Sequence, residues 1–219
     1  MKHCLILIFV LGGHLAYPQK MLLFKEAKIP TPHIDVGVKS WIEGQANFHK
    51  LSSTEQDFYY WVNYSRANPR RFLDSAVVPI TELYPQLKGE YLESLRKDLL
   101  AADSLPLLLL NAGLIRMAKN HAIDITSSEA KPSHTSTNGN TFSDRFRMEK
   151  FQKCGAENLS FGAGEPLFLL TLLYLDIDVP GVGHRKTLLN RQYRETGIGA
   201  ANFKNGSLFL VEDFACAQD

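Results

Sequence analysis

Apolar side chains recur every three or four residues along several stretches of the chain, which is the period of a helix with one buried face. The first such stretch begins near Ser52 and closes at Asn68–Pro69. Ser52 or Ser53 can cap its first turn, and Glu55 or Gln56 can reach back to the exposed amides. This part of the sequence therefore predicts an amphipathic helix with a capped start.

Further stretches predict helices of different character. Glu82–Ala102 and Asn111–Ser127 each carry one apolar stripe, so each should pack that stripe against a core. Leu167–Leu175 is apolar on all sides, which predicts a buried helix instead. Thr141–Lys150 predicts a short helix or turn, and Arg185–Asn190 a short helix.

The pattern changes near the C-terminus, where Asn205–Gly206 separates two runs of strand-forming residues, 196–201 and 207–214. Asn-Gly between two such runs is a strong signal for a β-hairpin. Helices that come first and a hairpin that comes last predict an α+β fold, in which helices cover a mostly antiparallel sheet.

The composition is that of an ordinary soluble globular protein. Of 219 residues, 45% are hydrophobic and 21% are charged, so one domain with a sizeable core is expected. The formal net charge of +1 gives no electrostatic argument for binding nucleic acid or an anionic membrane surface. Nucleic-acid binding is therefore disfavoured.

The N-terminus has the composition of a secretory signal peptide. A basic start, Met1–His3, precedes the apolar run Leu5–Leu11, which small residues follow. We therefore expect residues 1–17 to be removed on secretion, with cleavage between about residues 13 and 18. The alternative is a buried N-terminal strand. The apolar run is too short to span a bilayer, so no transmembrane segment is expected after signal removal.

The predicted mature chain divides into a leader and a folded domain. Residues 18–50 contain several prolines and no sustained period, which predicts an extended leader. The domain then covers residues 51–219 and contains two cysteines, Cys154 and Cys216. These either form a disulfide, as an oxidising compartment would allow, or remain as buried free thiols.

Separate polar segments supply the candidate functional residues. His134 lies in a loop rich in serine, threonine and asparagine, Glu157 lies near a predicted strand, and His184 follows Gly183. Imidazole and carboxylate groups from separate segments are what a metal site or an acid–base site is built from. His121 lies near the apolar face of its helix, where a half-buried, hydrogen-bonded histidine is expected.

No nucleophile is evident from motifs. The sequence has no Gly-x-Ser-x-Gly elbow, no His-Glu-x-x-His pair and no phosphate-binding glycine loop. Arg145 and Arg147 follow Asp144, and local ion pairing accounts for both. Any catalytic role therefore depends on the histidines and carboxylates converging in space.

Taken in order, these motifs resemble the CAP superfamily, the secreted domains that include cysteine-rich secretory proteins, insect venom antigens and plant pathogenesis-related proteins. The similarity is greatest to its microbial, SCP-like extracellular branch. The resemblance runs from about Glu55 to Phe214 and is carried by Asn63–Pro69, Ala118–Asp124, the segments around His134, Glu157 and His184, and Gly197–Gly199 before the hairpin. It implies a three-layer α-β-α sandwich, which agrees with the layering argued above.

The resemblance also implies a cleft with two histidines and two acidic residues, which in some members holds a divalent metal, commonly zinc. Carried over by position, the two histidines are His134 and His184, and the first acid is Glu157. Two neutral imidazoles, one carboxylate and a water would suit tetrahedral zinc with an open position. Glu157 could instead orient an imidazole without contacting the metal.

The second acid departs from the family pattern. In the family it follows a tryptophan by three residues on the buried helix. Here Leu173 takes the tryptophan position and Asp176 that of the acid, with Asp178 as a competing candidate. Because an aspartate is one methylene shorter than a glutamate, completion of the cleft depends on whether Asp176 reaches its partner.

The leading hypothesis is a protein secreted to the extracellular space or the periplasm that acts by binding. Its ligand would be a divalent metal ion, a lipid or sterol, or an extracellular protein. One alternative is a metal-assisted hydrolase or peptidase in which Glu157 activates a zinc-bound water. The other is a structural, envelope-associated module with a vestigial site. The lack of a nucleophile motif favours binding over catalysis.

Overall fold

The computed structural model describes residues 3–9, 22–25, 28–162 and 164–218. The α-helices in this part of the chain are α1 (Val36–Glu43), α2 (Ser53–Ala67), α3 (Pro69–Phe72), α4 (Val78–Leu83), α5 (Glu90–Ala101), α6 (Ala112–Ser127), α7 (Phe142–Met148), α8 (Pro166–Leu175) and α9 (Gly183–Leu188), with a π-helical turn at Leu73–Val77. The strands are β1 (His3–Phe9), β2 (Leu22–Lys25), β3 (Leu109–Leu110), β4 (Gly155–Gly162), β5 (Tyr193–Asn202) and β6 (Leu208–Cys216). No helix among the described residues is long and apolar enough to cross a membrane.

The described strands form one mixed sheet in the order β2-β1-β4-β6-β5-β3. Pairing is antiparallel throughout except between β3 and β5, which run parallel. Strands β5 and β6 form the predicted hairpin, with Asn202 opposite Leu208 and Asn205–Gly206 in the connection. Gly206 has a φ of +84°, which glycine adopts without strain. The α+β class and the mostly antiparallel sheet are therefore confirmed.

Alternate residues of β5 face two different helical layers. Gly197 and Gly199 face α6, since a Cβ on Gly197 would come within 2.1 Å of the Leu114 carbonyl carbon and one on Gly199 within 2.3 Å of that of Ala118. Ile198, between them, is buried in a core that contains side chains of α2 and α8. Because adjacent residues of a strand point to opposite faces, the sheet lies between two helical layers. This confirms the α-β-α sandwich.

Helix α2 begins at the predicted capping box. The Ser52 amide donates to Oε2 of Glu55 at 2.7 Å, and the Glu55 amide donates to the Ser52 hydroxyl at 3.4 Å. The Glu55 carboxylate also accepts a hydrogen bond from the Ala200 amide at 3.0 Å. The same side chain therefore caps α2 and ties its start to β5.

The extended leader predicted over residues 18–50 is wrong in its second half, where α1 forms. Residues 28–35 carry no helix or strand, but Asp35 then caps α1 by accepting a hydrogen bond from the Val38 amide at 3.1 Å. Val38 and Ile42, four residues apart, are both buried in the main core. Two core-facing side chains are too few to give a detectable period in the sequence.

The helix predicted over Glu82–Ala102 is shorter than expected, because α5 begins only at Glu90. Helix α4 ends at Leu83, Pro85 opens a single 3-10 turn, and Gly89 has a φ of +142°. A proline disfavours helical backbone at the residue before it, and the φ of Gly89 lies outside the helical region. These two residues therefore separate α4 from α5.

The described strand β1 (His3–Phe9) lies within the predicted signal peptide. It pairs antiparallel with β2 and, through Ile6 to Phe9, with Leu159–Gly162 of β4. A strand at this place is the alternative to a signal peptide that the sequence left open. Cleavage of the predicted signal peptide would remove β1. The predicted cleavage region lies outside the described residues, so the signal peptide stays a prediction.

Cys154 and Cys216 form a disulfide, one of the two arrangements that the sequence left open. Their Cα atoms lie 5.4 Å apart, and the Cys216 amide donates to the Cys154 carbonyl at 2.9 Å. The bond joins the segment just before β4 to the end of β6.

Candidate functional site

His134 and Glu157 form the first of two buried histidine–carboxylate pairs. His134 lies in the loop between α6 and α7, and its Nδ1 is 2.8 Å from Oε1 of Glu157 on β4. The other carboxylate oxygen accepts a hydrogen bond from Nη2 of Arg145 on α7 at 2.5 Å. The exposed fractions are 8% for His134 and 5% for Glu157. One carboxylate therefore joins a loop, a helix and a strand.

Helix α7 holds the loop that carries His134. The helix begins at a capping box formed by Thr141 and Asp144. From this helix, Nη1 of Arg145 donates to the carbonyl of His134 at 2.9 Å and to that of Asn140 at 3.2 Å. Because a guanidinium presents several donors in one plane, it fixes the partners that it binds in a single geometry.

Glu157 is ionised despite its burial. Burial alone would raise the pKa of its carboxyl group, but the hydrogen bond from His134 and the charge of Arg145 outweigh burial and hold the pKa below its usual 4.5. Asp213, its cross-strand partner on β6, behaves in the opposite way, because burial and the charge of Glu157 raise its pKa well above 3.8. Nδ1 of His134 therefore donates to an ionised Glu157, and Nε2 carries the lone pair when the ring is neutral.

His184 and Asp176 form the second pair, across the turn between α8 and α9. Asp176 is the C-cap of α8, with φ 54° and ψ 39°, a left-handed conformation that aspartate tolerates better than most residues. Its Oδ1 lies 2.5 Å from Nδ1 of His184, and its Oδ2 accepts a hydrogen bond from the Arg185 amide at 3.0 Å. Asp176 is fully buried, whereas Asp178 is exposed. The shorter aspartate therefore reaches its histidine.

Both histidines leave the same nitrogen without a partner. In the described part of the chain, Nε2 of His134 and Nε2 of His184 are buried and make no hydrogen bond. A buried polar atom of this kind costs free energy, and such atoms in folded proteins often mark a place where a ligand or ion binds.

Strand β4 relates the two pairs to each other. Glu157 contacts His134, whereas the side-chain Nδ2 of the next residue, Asn158, donates to the backbone carbonyl of His184 at 3.4 Å. Adjacent side chains of a strand point to opposite faces, so β4 contacts the His134 side chain through one face and the backbone of His184 through the other. Within the described ranges, the outer edge of β4 is paired only over Leu159–Gly162, which leaves the edge at Glu157 open. No three His, Cys, Asp or Glu side chains of those ranges are grouped closely enough to hold a metal ion.

Sequence reasoning misses two charged residues of this site. Arg145 was expected to pair with Asp144. Instead, Nη2 of Arg147 lies 2.6 Å from Oδ1 of Asp144, and Arg145 pairs with the buried Glu157. Asp213 was not predicted at all, although an acid within an otherwise apolar strand is itself a sign of a buried, specialised position.

Comparison with known proteins gives one family match. Residues 59–214 match the model of the cysteine-rich secretory protein family, CAP. No curated protein matches the chain.

Three similar solved structures come from different organisms. They are an extracellular protein containing an SCP domain from Bacillus anthracis (25% identity, TM-score 0.43), an outer surface protein from Borrelia burgdorferi (20%, 0.42) and a venom allergen-like protein from Schistosoma mansoni (14%, 0.47). The matches cover 52%, 64% and 77% of this chain, respectively. They cover 92% of the Borrelia and Schistosoma chains but only 35% of the Bacillus chain.

Proposed function

Because the chain belongs to the cysteine-rich secretory protein (CAP) family, we propose that it acts outside the cytoplasm as a binding protein whose ligand is a divalent metal ion. The metal ligands in this proposal are Nε2 of His134 and Nε2 of His184. The observation that carries it is that both atoms are buried without a partner while Nδ1 of each ring is held by a carboxylate.

The chemistry of these groups fits a metal such as zinc. A metal-ligating histidine characteristically donates its other ring N–H to a carboxylate, which fixes the tautomer and makes the free nitrogen a better ligand. Glu157 and Asp176 stand in that relation to His134 and His184. Two protein ligands leave further coordination positions to water or to a bound partner. A divalent ion held there would supply a positive centre that attracts a carbonyl or anionic group of that partner.

The contacts of Glu157 favour an orienting role over a catalytic one. Both of its oxygens are engaged, one by His134 and the other by Arg145, and its pKa is lowered. A general base needs an accessible oxygen and a pKa near the working pH. Its arrangement therefore supports binding rather than the metal-assisted hydrolase in which Glu157 would activate a water.

A location outside the cytoplasm is supported by two features of the chain. The disulfide between Cys154 and Cys216 is the kind of bond that persists in oxidising compartments. The predicted signal peptide over residues 1–17 points the same way. Lipids, sterols and extracellular proteins stay as further candidate ligands.

Zinc titration by calorimetry near neutral pH tests the proposal. Wild type should bind zinc with micromolar or tighter affinity, and His134→Ala and His184→Ala should each abolish that binding. His49→Ala is the matched control, because His49 is exposed and should leave the affinity unchanged. If neither of the two buried histidines changes the affinity, the metal site is wrong, whatever the melting temperatures of the variants.

A further inference from the structure

A second polar cluster, separate from the two unpartnered histidine nitrogens, surrounds a pocket of about 270 Å³ between α6, α7 and the loop that joins them. His121, Ser136 and Arg145 line this pocket together with Asn138 and Asn140. The pocket thus combines a hydroxyl, an imidazole and a guanidinium with amide groups, two carboxylic acid residues and two methionines.

A chain of hydrogen bonds fixes the direction of the Ser136 hydroxyl. Nε2 of His121 lies 2.8 Å from the carbonyl oxygen of Ser133, and Nδ1 lies 3.0 Å from Oγ of Ser136. A carbonyl can only accept, so Nε2 carries the ring proton and Nδ1 of the neutral ring must accept. The Ser136 hydroxyl therefore donates to Nδ1, which is the relation of a nucleophile to its general base.

The imidazole is in the right protonation state for that role. Burial lowers the pKa of His121 below its usual 6.5 and outweighs the opposing charge of Glu157. The ring is therefore neutral at pH 7, the form in which Nδ1 has a lone pair to accept the serine proton. His121 is hydrogen-bonded as predicted, but it is 1% exposed rather than half-buried, and the hydroxyl that it binds belongs to a side chain that lines a pocket.

Arg145 supplies the third element. Its Nη1 donates to Oγ of Ser136 at 3.2 Å, which favours negative charge on that oxygen. Its Nε is buried and, among the described residues, has no hydrogen-bond partner. Arg145 lines the same pocket as Ser136, so an unused N–H of its guanidinium can serve as a donor to an oxyanion formed at that serine.

The loop that carries Ser136 is held in place. The Ser136 amide donates to the carbonyl of Asn140, and the Gly139 amide donates back to the carbonyl of Ser136, each at 2.9 Å. Gly139 has a φ of +90°, which this tight turn requires and glycine provides. The hydroxyl is therefore pre-positioned, which is a condition for efficient attack.

We propose that Ser136 is the nucleophile of an acyl-transfer site for small carboxylic esters, with His121 as its general base. Oγ of Ser136 attacks the ester carbonyl carbon while its proton passes to Nδ1 of His121. The oxyanion accepts a hydrogen bond from Nε–H of Arg145. On collapse of the tetrahedral intermediate, the ester C–O bond breaks and the leaving alcohol takes the proton from His121. Water then hydrolyses the acyl-serine by the same route and restores the hydroxyl. The pocket volume limits the substrate to a short acyl and alcohol part.

This activity does not depend on the proposed metal site. The serine, its base and the free donor are all side chains of the pocket, and none of the steps uses Nε2 of His134 or of His184. Reactions carried out in excess EDTA therefore separate the two proposals, because a metal-dependent hydrolysis would disappear and the serine chemistry would not.

Labelling by a small alkyl fluorophosphonate tests the proposal. The reagent reacts with activated serines by losing fluoride, and peptide mapping by mass spectrometry identifies the modified residue. Full-length wild type in excess EDTA at pH 7.5 should be modified at Ser136, and the bound label should block hydrolysis of a short-chain ester. Wild type that is not modified at Ser136 overturns the proposal without reference to any variant.

Variants then separate the base from its surroundings. His121→Asn should slow modification at least about 100-fold, the size expected for loss of a general base. Ser143→Ala is the matched control, because Ser143 is an exposed serine on α7 and should leave the rate unchanged. An unchanged rate in both His121→Asn and His121→Gln contradicts the role of His121. Thermal melting shows that the variants compared are folded.

Discussion

Glu157 on β4 and Asp213 on β6 lie directly opposite each other, with both carboxyl groups buried and only one of them ionised. Hydrogen bonds and charge from His134 and Arg145 keep the pKa of Glu157 low, whereas burial and the neighbouring Glu157 raise that of Asp213. The charge is thus placed on the carboxylate that orients the histidine, and Asp213 stays protonated beside it.

Asp213→Asn should increase the free energy of unfolding at pH 8 and change it little at pH 4. In the unfolded chain Asp213 loses its proton near the ordinary value of 3.8, whereas the folded protein keeps it to much higher pH. Unfolding therefore releases a proton above pH 4, and stability falls as pH rises, by up to about 1.4 kcal/mol per pH unit. The asparagine amide does not ionise, so the variant does not lose stability with rising pH in this way. Urea unfolding at pH 4 and pH 8 measures the stability of the variant relative to wild type. A larger gain in stability at pH 4 than at pH 8 would contradict the prediction.

Glu212, on the opposite face of β6, should also make the protein less stable as pH rises. Burial raises its pKa to about 8, despite the opposing charge of Arg66 and a hydrogen bond from Thr196. Wild type should therefore lose stability relative to Glu212→Gln as pH rises from about 5 to 8, by up to about 1.4 kcal/mol per unit. Glu90→Gln, at an exposed position, is the control, and its difference from wild type should not change over this range. Parallel pH curves for wild type and Glu212→Gln would exclude a buried neutral Glu212.

Asp176→Asn should weaken zinc binding about 10- to 100-fold, the usual effect of removing the carboxylate behind a metal-ligating histidine. The amide oxygen can still accept from Nδ1 of His184, but the charge that strengthens Nε2 as a ligand is lost. Asp178→Asn is the matched control, because that side chain is exposed two residues away. Equal zinc affinities of the two variants by calorimetry would mean that Asp176 has only a structural role.

Gly197→Ala should destabilise the fold by about 3 kcal/mol or more, or prevent folding. Its Cβ would meet backbone atoms of Leu114 and Ile115 at 2.1 and 2.2 Å, and backbone cannot move aside without separating α6 from β5. Gly44→Ala is the control, because its Cβ would meet its nearest neighbours at 3.5 Å in an ordinary helical conformation. Urea unfolding should show Gly44→Ala within about 0.5 kcal/mol of wild type. A similar result for Gly197→Ala would contradict the close packing of α6 on β5.

The elements that the sequence predicts well are those specified locally. The start of α2 depends on Ser52 and Glu55, three residues apart, and the hairpin depends on Asn205–Gly206 between two apolar runs. In both cases the residues that decide the structure are neighbours in the chain. Local patterns of this kind survive in almost any tertiary context.

The site could be predicted only in part, because its decisive contacts are not local. That Asp213 faces Glu157 depends on the register of β4 against β6, and a shift by one residue would turn it to the other face of the sheet. That Arg145 pairs with Glu157 rather than with Asp144 depends on how α7 packs against β4. The family resemblance supplied the two histidines and two acids, but it gave no indication of Ser136, whose role depends on the tautomer of His121.

Removal of the disulfide should lower the free energy of unfolding by about 4 kcal/mol without changing the fold. Cys154 and Cys216 are 62 residues apart, and closing a loop of that length restricts the unfolded chain by about this amount in the chain-entropy account. The fold should persist because β4 and β6 are also paired along their whole length by backbone hydrogen bonds. Urea unfolding with and without dithiothreitol measures the effect. The Cys154→Ser/Cys216→Ser variant should have the same free energy of unfolding as reduced wild type, with or without dithiothreitol. If dithiothreitol also destabilises that variant, the loss of stability does not come from this bond.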